Sequence, residues 1–395
     1  MTDTKDLTNK YIMGTYNRFD TEIENGNGVY IIDGKGKKYL DFTAGIAVNT
    51  LGYIDRDCIK AITEQIEKYN HCSNLYYSRP QAEVAEILVE NSCFEKVFFC
   101  NSGAEANETM IKIARKFGKT KGENCSKIIT MKNSFHGRTT GAITATGQEK
   151  YQKSFTPLLP DFAYAEFNNL QSVEALADEH TCAIIVEPVQ GEGGLHVAKK
   201  EFLQGLRKLC DEKNILLGFD EVQCGIGRTG TLFAYQSYGV EPDMAAMAKG
   251  LANGLPIGAC AAKGIASTIL VAGDHASTFG GNPVSCASAK VVLNKLIKGN
   301  LLENVKTTGE YLISELKKLA QKYPVIKDVR GLGLMVGAEL SVPAKDIIKK
   351  CMDKGLMIIG AGTHVMRFVP PMIITKDHVD EAIKIIDEVL GETNE

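Results

Sequence analysis

Five short runs of the sequence are apolar almost throughout, with charge confined to their ends: KVFFC (96–100), KIITM (127–131), CAIIVEP (182–188), NILLGFDE (214–221) and MAAMAK (244–249). A strand with one face in water alternates apolar and polar residues, so runs without alternation must be covered on both faces. Between several of them the period changes. Ala106, Met110, Ile113, Ala114 and Phe117 recur every three to four residues, as do Phe202, Leu206 and Leu209, which predicts helices with one apolar stripe. Strands alternating with helices predict an α/β fold with a mostly parallel sheet, in which ligands sit beyond the carboxyl ends of the strands.

At 395 residues the chain exceeds what one small core needs. Its texture changes after about residue 300 to lysine-rich amphipathic helix, followed by VRGLGLMVGAEL and VMRFVPPMIIT, which alternate and carry turn residues. The expected division is an N-terminal segment (1–50) packing with the small domain, a large domain (51–290) and a smaller α+β domain (291–395). GVYIIDGKGKKYLDF reads as a hairpin turning at Gly34 to Gly36. Basic and acidic side chains nearly balance, at 45 and 48, which offers no electrostatic footprint for nucleic acid or an anionic membrane. The polar start MTDTKDLTNKYIMG and the lack of a long apolar run predict a cytoplasmic protein. Eleven cysteines never form a CxxC pair, so neither a metal site nor a disulfide framework is expected, and only Cys224 lies near residues of chemical interest.

Three strand ends carry chemistry. KVFFC runs into NSGAEANE, placing Ser102 and Gly103 where a helix begins; exposed amides and the helix dipole make such a start an anion site, though an ordinary Ser or Asn cap reads the same way. NILLGFDE ends in Asp220 and Glu221, a carboxylate pair on a buried strand. MAAMAK ends in Lys249, where lost hydration favours the neutral, nucleophilic amine; a snorkelling lysine is the alternative. A phosphate seat, a carboxylate for a pyridinium nitrogen and an amine for a Schiff base are together what pyridoxal phosphate requires.

FDEVQCGIGRTG, MAAMAKGLANGLPIGA, NSGAEANE, SFHGRTTGAITATG, EPVQGEGG, STFGGNP and MRFVPP follow one another along the chain. From about Asn25 to Pro371 the sequence resembles the class III (ω-amino acid) aminotransferases of fold type I. The resemblance implies a seven-stranded-type sheet, pyridoxal 5'-phosphate as cofactor, and a homodimer with shared active sites. It implies Lys249 as the Schiff-base lysine and Asp220 as partner of the pyridinium nitrogen, with Glu221 and Val222 beside it. Gln223 would contact the phenolic oxygen, Ser102, Gly103 and Ala104 the phosphate, and Phe135 the ring face. Thr278 would reach the phosphate from the neighbouring subunit, and Ser277 would lie beside the substrate. Arg138 and Arg367 would bind carboxylates, with Glu192 as a gate on Arg367. His71 and His136 are read as structural or supporting, and Glu187 as either a general acid or a strand end.

Among such enzymes the implied activity is transfer of the terminal amino group of N-acetylornithine to 2-oxoglutarate, giving N-acetylglutamate semialdehyde and glutamate. Ornithine, succinylornithine and 4-aminobutyrate are alternative donors, and a non-catalytic pyridoxal phosphate binder is the alternative of another class. A nucleotide-binding reading fails, because GIGRTG and RGLGLMVG lack a phosphate-loop lysine and a full GxGxxG. Two stretches depart from the family pattern: LGYIDRD (51–57) replaces LGHxHP, and Asn253 stands where glycine is common. Both bear on loop geometry and substrate fit.

Overall fold

The computed structural model describes residues 4–392; the outermost residues of the expected N-terminal segment and C-terminal domain, 1–3 and 393–395, lie outside it. Its central element is a seven-stranded sheet in the order Lys96–Cys100, Gly258–Ala262, Met244–Met247, Leu216–Asp220, Thr181–Val186, Lys127–Met131, Phe162–Ala165. Gly258–Ala262 runs antiparallel to both neighbours, and the other pairings are parallel. All five apolar runs become strands of this sheet. Thr181–Val186, Leu216–Asp220 and Met244–Met247 are buried at every position, as continuous apolar runs demand.

Alternation across the pleat divides the sheet's side chains between two cores. Ile128, Ile185 and Leu216 pack with Ala106, Met110, Ala114 and Phe117 of helix Gly103–Lys121. Their sequence neighbours Ile129, Ile184 and Leu217 pack on the opposite face with Phe202, Leu206 and Leu209 of helix Lys200–Lys213. Each such fully buried side chain contributes about 1.5–3 kcal/mol relative to exposure.

A second, fully antiparallel sheet orders Ile326–Leu332, Met335–Leu340, Val365–Phe368 and Ile359–Ala361. The hairpin Tyr30–Asp33 and Lys38–Asp41 closes where the 34–36 turn was expected. Its second strand then takes Leu356–Met357 as a parallel neighbour, so the start and the last third of the chain share one sheet. Among the described residues no helix is long and apolar enough to cross a membrane.

Candidate active site

The carboxyl ends of four parallel strands and of Lys96–Cys100 open on one cavity of about 390 Å³. Ser102, Gly103 and Ala104 line it at the start of a helix, Asp220, Val222 and Gln223 at the end of the central strand, and Phe135, Arg138 and Lys249 beside them. Ser102 caps the helix, its Oγ accepting from Glu105 N–H at 3.2 Å. The amides of Gly103 and Ala104 have no acceptor among the described residues, leaving donors aimed at an anion. A Cβ on Gly103 would come within 2.5 Å of Val222 Cγ1, so the approach of helix to strand end requires glycine.

Asp220 is buried and held from three sides. Its Oδ1 accepts from Val222 N–H at 3.0 Å, and its Oδ2 from Asn107 Nδ2 at 2.8 Å and from His136 Nδ1 at 2.7 Å. Asn107 Nδ2 also donates to the His136 carbonyl at 2.7 Å, so the histidine, amide and carboxylate form one rigid unit. His136 therefore supports Asp220, while Asn107 was not singled out from the sequence at all. The next residue of that helix, Glu108, accepts from the amides of Gly141 and Ala142 and so fixes the segment that follows Arg138.

Lys249 lies two residues past its strand with φ of +39°, in the left-handed region that a non-glycine residue adopts at a cost on the order of 1–3 kcal/mol. Burial lowers the pKa of its ammonium, against the opposing charge of Glu192. Glu187, also lining the cavity, accepts from Phe135 N–H at 3.1 Å; burial first, then the charge of Asp220, hold its carboxyl well above the usual range. Phe135 thus has its backbone fixed and its ring edge-on to Tyr151, 5.6 Å between centroids.

The two arginines are in opposite states. Arg138 is exposed at the cavity, with its guanidinium over the Tyr151 ring at 4.3 Å and no carboxylate partner among the described residues. Arg367 is buried, and its Nη1 donates to Glu192 Oε1 at 2.5 Å and to Gln223 Oε1 at 3.0 Å, while its Nη2 donates to Glu192 Oε2 at 3.2 Å. Burial alone would raise the Glu192 carboxyl; the Arg367 charge and hydrogen bonds outweigh it and hold the carboxyl below its usual value.

Glu221, Ser277, Thr278 and Cys224 do not line this cavity. Glu221 does not face the cavity: its two oxygens accept from the amides of Ala234 and Tyr235 at 2.6 and 2.8 Å, capping helix Ala234–Tyr238. The reason is the strand itself, which sends successive side chains to opposite sides. Ser277 and Thr278 line a separate cavity with Asn74 and His275, and in this chain only Ser277 touches the site, through Asn101 Nδ2 at 3.1 Å. Cys224 is fully buried and its thiol is pushed far up, which removes it from nucleophilic chemistry.

The two departures from the family pattern turn out to be one contact. Asn253 Oδ1 accepts from Leu51 N–H at 2.8 Å and its Nδ2 donates to the Gly52 carbonyl at 3.1 Å, tying the segment to the turn that follows Lys249. Asn253 takes φ of +47°, which asparagine tolerates better than most residues. Thr50 Oγ1 adds a bond to the Gly250 carbonyl at 2.8 Å.

Glu221 also yields a pH prediction. Burial pushes its carboxyl up to about 7 from 4.5, despite the two amide donors. A folded-state value above the unfolded one means stability fully present below about 4.5 and lost as pH rises through about 7, a contribution on the order of 3 kcal/mol. In urea titrations, the stability of the wild type relative to Glu221→Gln should therefore shrink across that window. A constant difference would show that Glu221 stays ionised.

The aminotransferase class-III family model matches residues 12–390. The chain belongs to the class-III aminotransferases. It is 50% identical over 385 residues to an acetylornithine aminotransferase of Caldanaerobacter subterraneus subsp. tengcongensis, covering 97% of this chain and 98% of that one. Among solved structures it resembles the N-acetylornithine aminotransferase of Stenotrophomonas maltophilia K279a, with a TM-score of 0.86 and 36% identity over 98% of each chain. It also resembles an ornithine aminotransferase of Toxoplasma gondii described with partial occupancy of PLP at its active site; there the TM-score is 0.94 and the identity 31%, over 98% of this chain and 94% of that one. As a class-III aminotransferase the chain has fold type I, in agreement with its mostly parallel seven-stranded sheet.

Proposed function

We propose that the chain is a pyridoxal-phosphate-dependent acetylornithine aminotransferase, moving the terminal amino group of N-acetylornithine to 2-oxoglutarate in amino-acid biosynthesis. The observation that carries this reading is one free arginine, Arg138, lining the cavity, with one masked arginine, Arg367, bonded to Gln223 of the same cavity. The residues suit the cofactor: free helix amides for a phosphate, a rigid carboxylate at Asp220, an aromatic face at Phe135 and a desolvated amine at Lys249. When bound, pyridoxal phosphate supplies a carbonyl that takes up amino groups and a ring that accepts electrons.

The chain's own residues then do the following. Asp220, an acceptor fixed by three donors, keeps a proton on a ring nitrogen placed against it. Lys249 Nζ, whose burial favours the neutral amine, takes a proton from one substrate carbon and returns it to another, so no separate carboxylic acid is needed. Arg138 takes the α-carboxylate of a donor whose terminal amine reacts, while Glu192 covers Arg367. With glutamate, Glu192 turns away and Arg367 takes the α-carboxylate bidentately. Arg138 then holds the distal one.

The enzyme works as a cytoplasmic homodimer in this proposal. Eleven cysteines, all unpaired, suit a reducing compartment. Exposed Leu75 lines the cavity that holds Thr278, and exposed Tyr76, Tyr77 and Phe279 adjoin these two in sequence; Thr278 would serve the phosphate of the partner subunit. The division into an N-terminal segment, a large and a small domain near residues 50 and 290 completes the proposal.

Single-turnover spectra with N-acetylornithine, ornithine, succinylornithine and 4-aminobutyrate test the donor. N-acetylornithine should convert the cofactor to its amine form fastest, and a faster rival replaces it. Arg367→Ala should slow the glutamate half reaction by the roughly 1.5–3 kcal/mol of a hydrogen bond to a charged group and the donor half reaction less. Arg138→Ala should slow both. Equal slowing of both halves by Arg367→Ala would make that arginine structural.

A further inference from the structure

RGLGLMVG fits no nucleotide loop, and the activity above gives it no task. The structure assigns one to its first residue: we propose that Arg330 is a positioning residue that holds the Glu192 loop against Arg367 and so sets the balance between the two half reactions.

Arg330 pairs with Gly337, and Gly337 pairs with Arg367 across the next strand. Directly paired residues of antiparallel strands share a face, so the two arginines stand on one row, about 10 Å apart at two strand spacings, with a glycine between them. That glycine leaves room for the loop: a Cβ there would come within 3.1 Å of Leu195 Cβ.

Both arginines grip the same four-residue segment, Glu192 to Leu195. Arg367 holds it by the Glu192 carboxylate. Arg330 holds it by the backbone, its Nε donating to the Leu195 carbonyl at 2.7 Å and its Nη2 to the Gly194 carbonyl at 2.5 Å. Nη1 is clamped in turn by Asp328 Oδ2 at 2.8 Å and Glu339 Oε2 at 2.6 Å, so the guanidinium is oriented before the loop meets it. Gly194 sits at φ +111° and Leu195 at +55°. This path is held by the pairing of Val189–Gln190 with His196–Val197 on either side, by the burial of Leu195, and by the bonds from Arg330 to its carbonyls. With Gly194 and Leu195 pinned, opening the gate is a rotation of the Glu192 side chain rather than a movement of the loop.

This inference rests on the gate reading, and a double-mutant cycle separates the two. The quantity measured is the ratio of single-turnover rates with N-acetylornithine and with glutamate, in Arg330→Met, Arg330→Lys, Glu192→Ala and the double variant Arg330→Met with Glu192→Ala. Arg330→Met should lower the ratio at least about fivefold, as expected for coupled neighbours. Arg330→Lys, which keeps the charge but loses the fork, should fall between it and the wild type. In the Glu192→Ala background Arg330→Met should leave the ratio unchanged, because the group it positions is gone. A ratio moved by Glu192→Ala but not by either Arg330 variant, or additive effects in the double variant, overturns the role of Arg330 alone. A ratio that Glu192→Ala does not move overturns the gate as well.

Discussion

Borohydride treatment of the purified protein should leave one pyridoxyl group, on Lys249, and Lys249→Ala should abolish turnover. Lys249 is the lysine that the fold sets in a left-handed turn beside the cavity at the mouth of the central sheet. Desolvation lowers the pKa of its ammonium and so favours the neutral amine that attack on a carbonyl needs. Loss of its proton transfer alone would cost on the order of 10²–10⁴ in rate, and loss of the attachment point adds to that. Peptide mapping of the reduced protein decides the matter: label on another lysine, or none, refutes the assignment.

Asp220→Ala should lower the transamination rate by at least about 10²-fold, the scale on which removing one preorganised charge interaction acts. The cofactor should stay bound, since the helix amides, Phe135 and Lys249 remain. His136 Nδ1 and Asn107 Nδ2 would lose their shared acceptor, so the thermal midpoint should fall with the rate. Asp220→Asn keeps the volume and separates the two effects: it should recover the midpoint more than the rate. Near-normal turnover in both variants would mean that the carboxylate merely ends a strand.

What could be read in the sequence follows burial. The five strands that are apolar on both faces announce themselves, and their ends deliver Ser102, Asp220 and Lys249 to one place. Two strands of the same sheet stay hidden. Gly258–Ala262 reads GACAA, small residues with little β-propensity whose strand state is imposed by their neighbours, and Phe162–Ala165 reads FAYA, where the aromatics favour a strand but the run is only four residues long. Asn107 is equally silent, because on a helix it is one more polar position until Asp220, 113 residues away in sequence, arrives beside it. The direction of Glu221 has a reason visible in the sequence: adjacent strand residues face opposite ways, so only one side chain of an acidic pair can enter the cavity. The link between Asn253 and Leu51 required the tertiary structure.

The antiparallel strand Gly258–Ala262 also sets a timetable. It is the sheet neighbour of Lys96–Cys100, yet it follows that strand by about 160 residues. At a synthesis rate of about 5–20 residues per second, the edge of Lys96–Cys100 waits roughly 8–30 s on the ribosome with its hydrogen-bonding row open. Helix Gly103–Lys121, which carries the anion seat and Asn107, shares its core with Cys260 and Ala262 and lacks those neighbours until then. The vulnerable species in the life of this enzyme is thus a nascent chain shorter than residue 258, and chaperone capture or aggregation during synthesis should concentrate there.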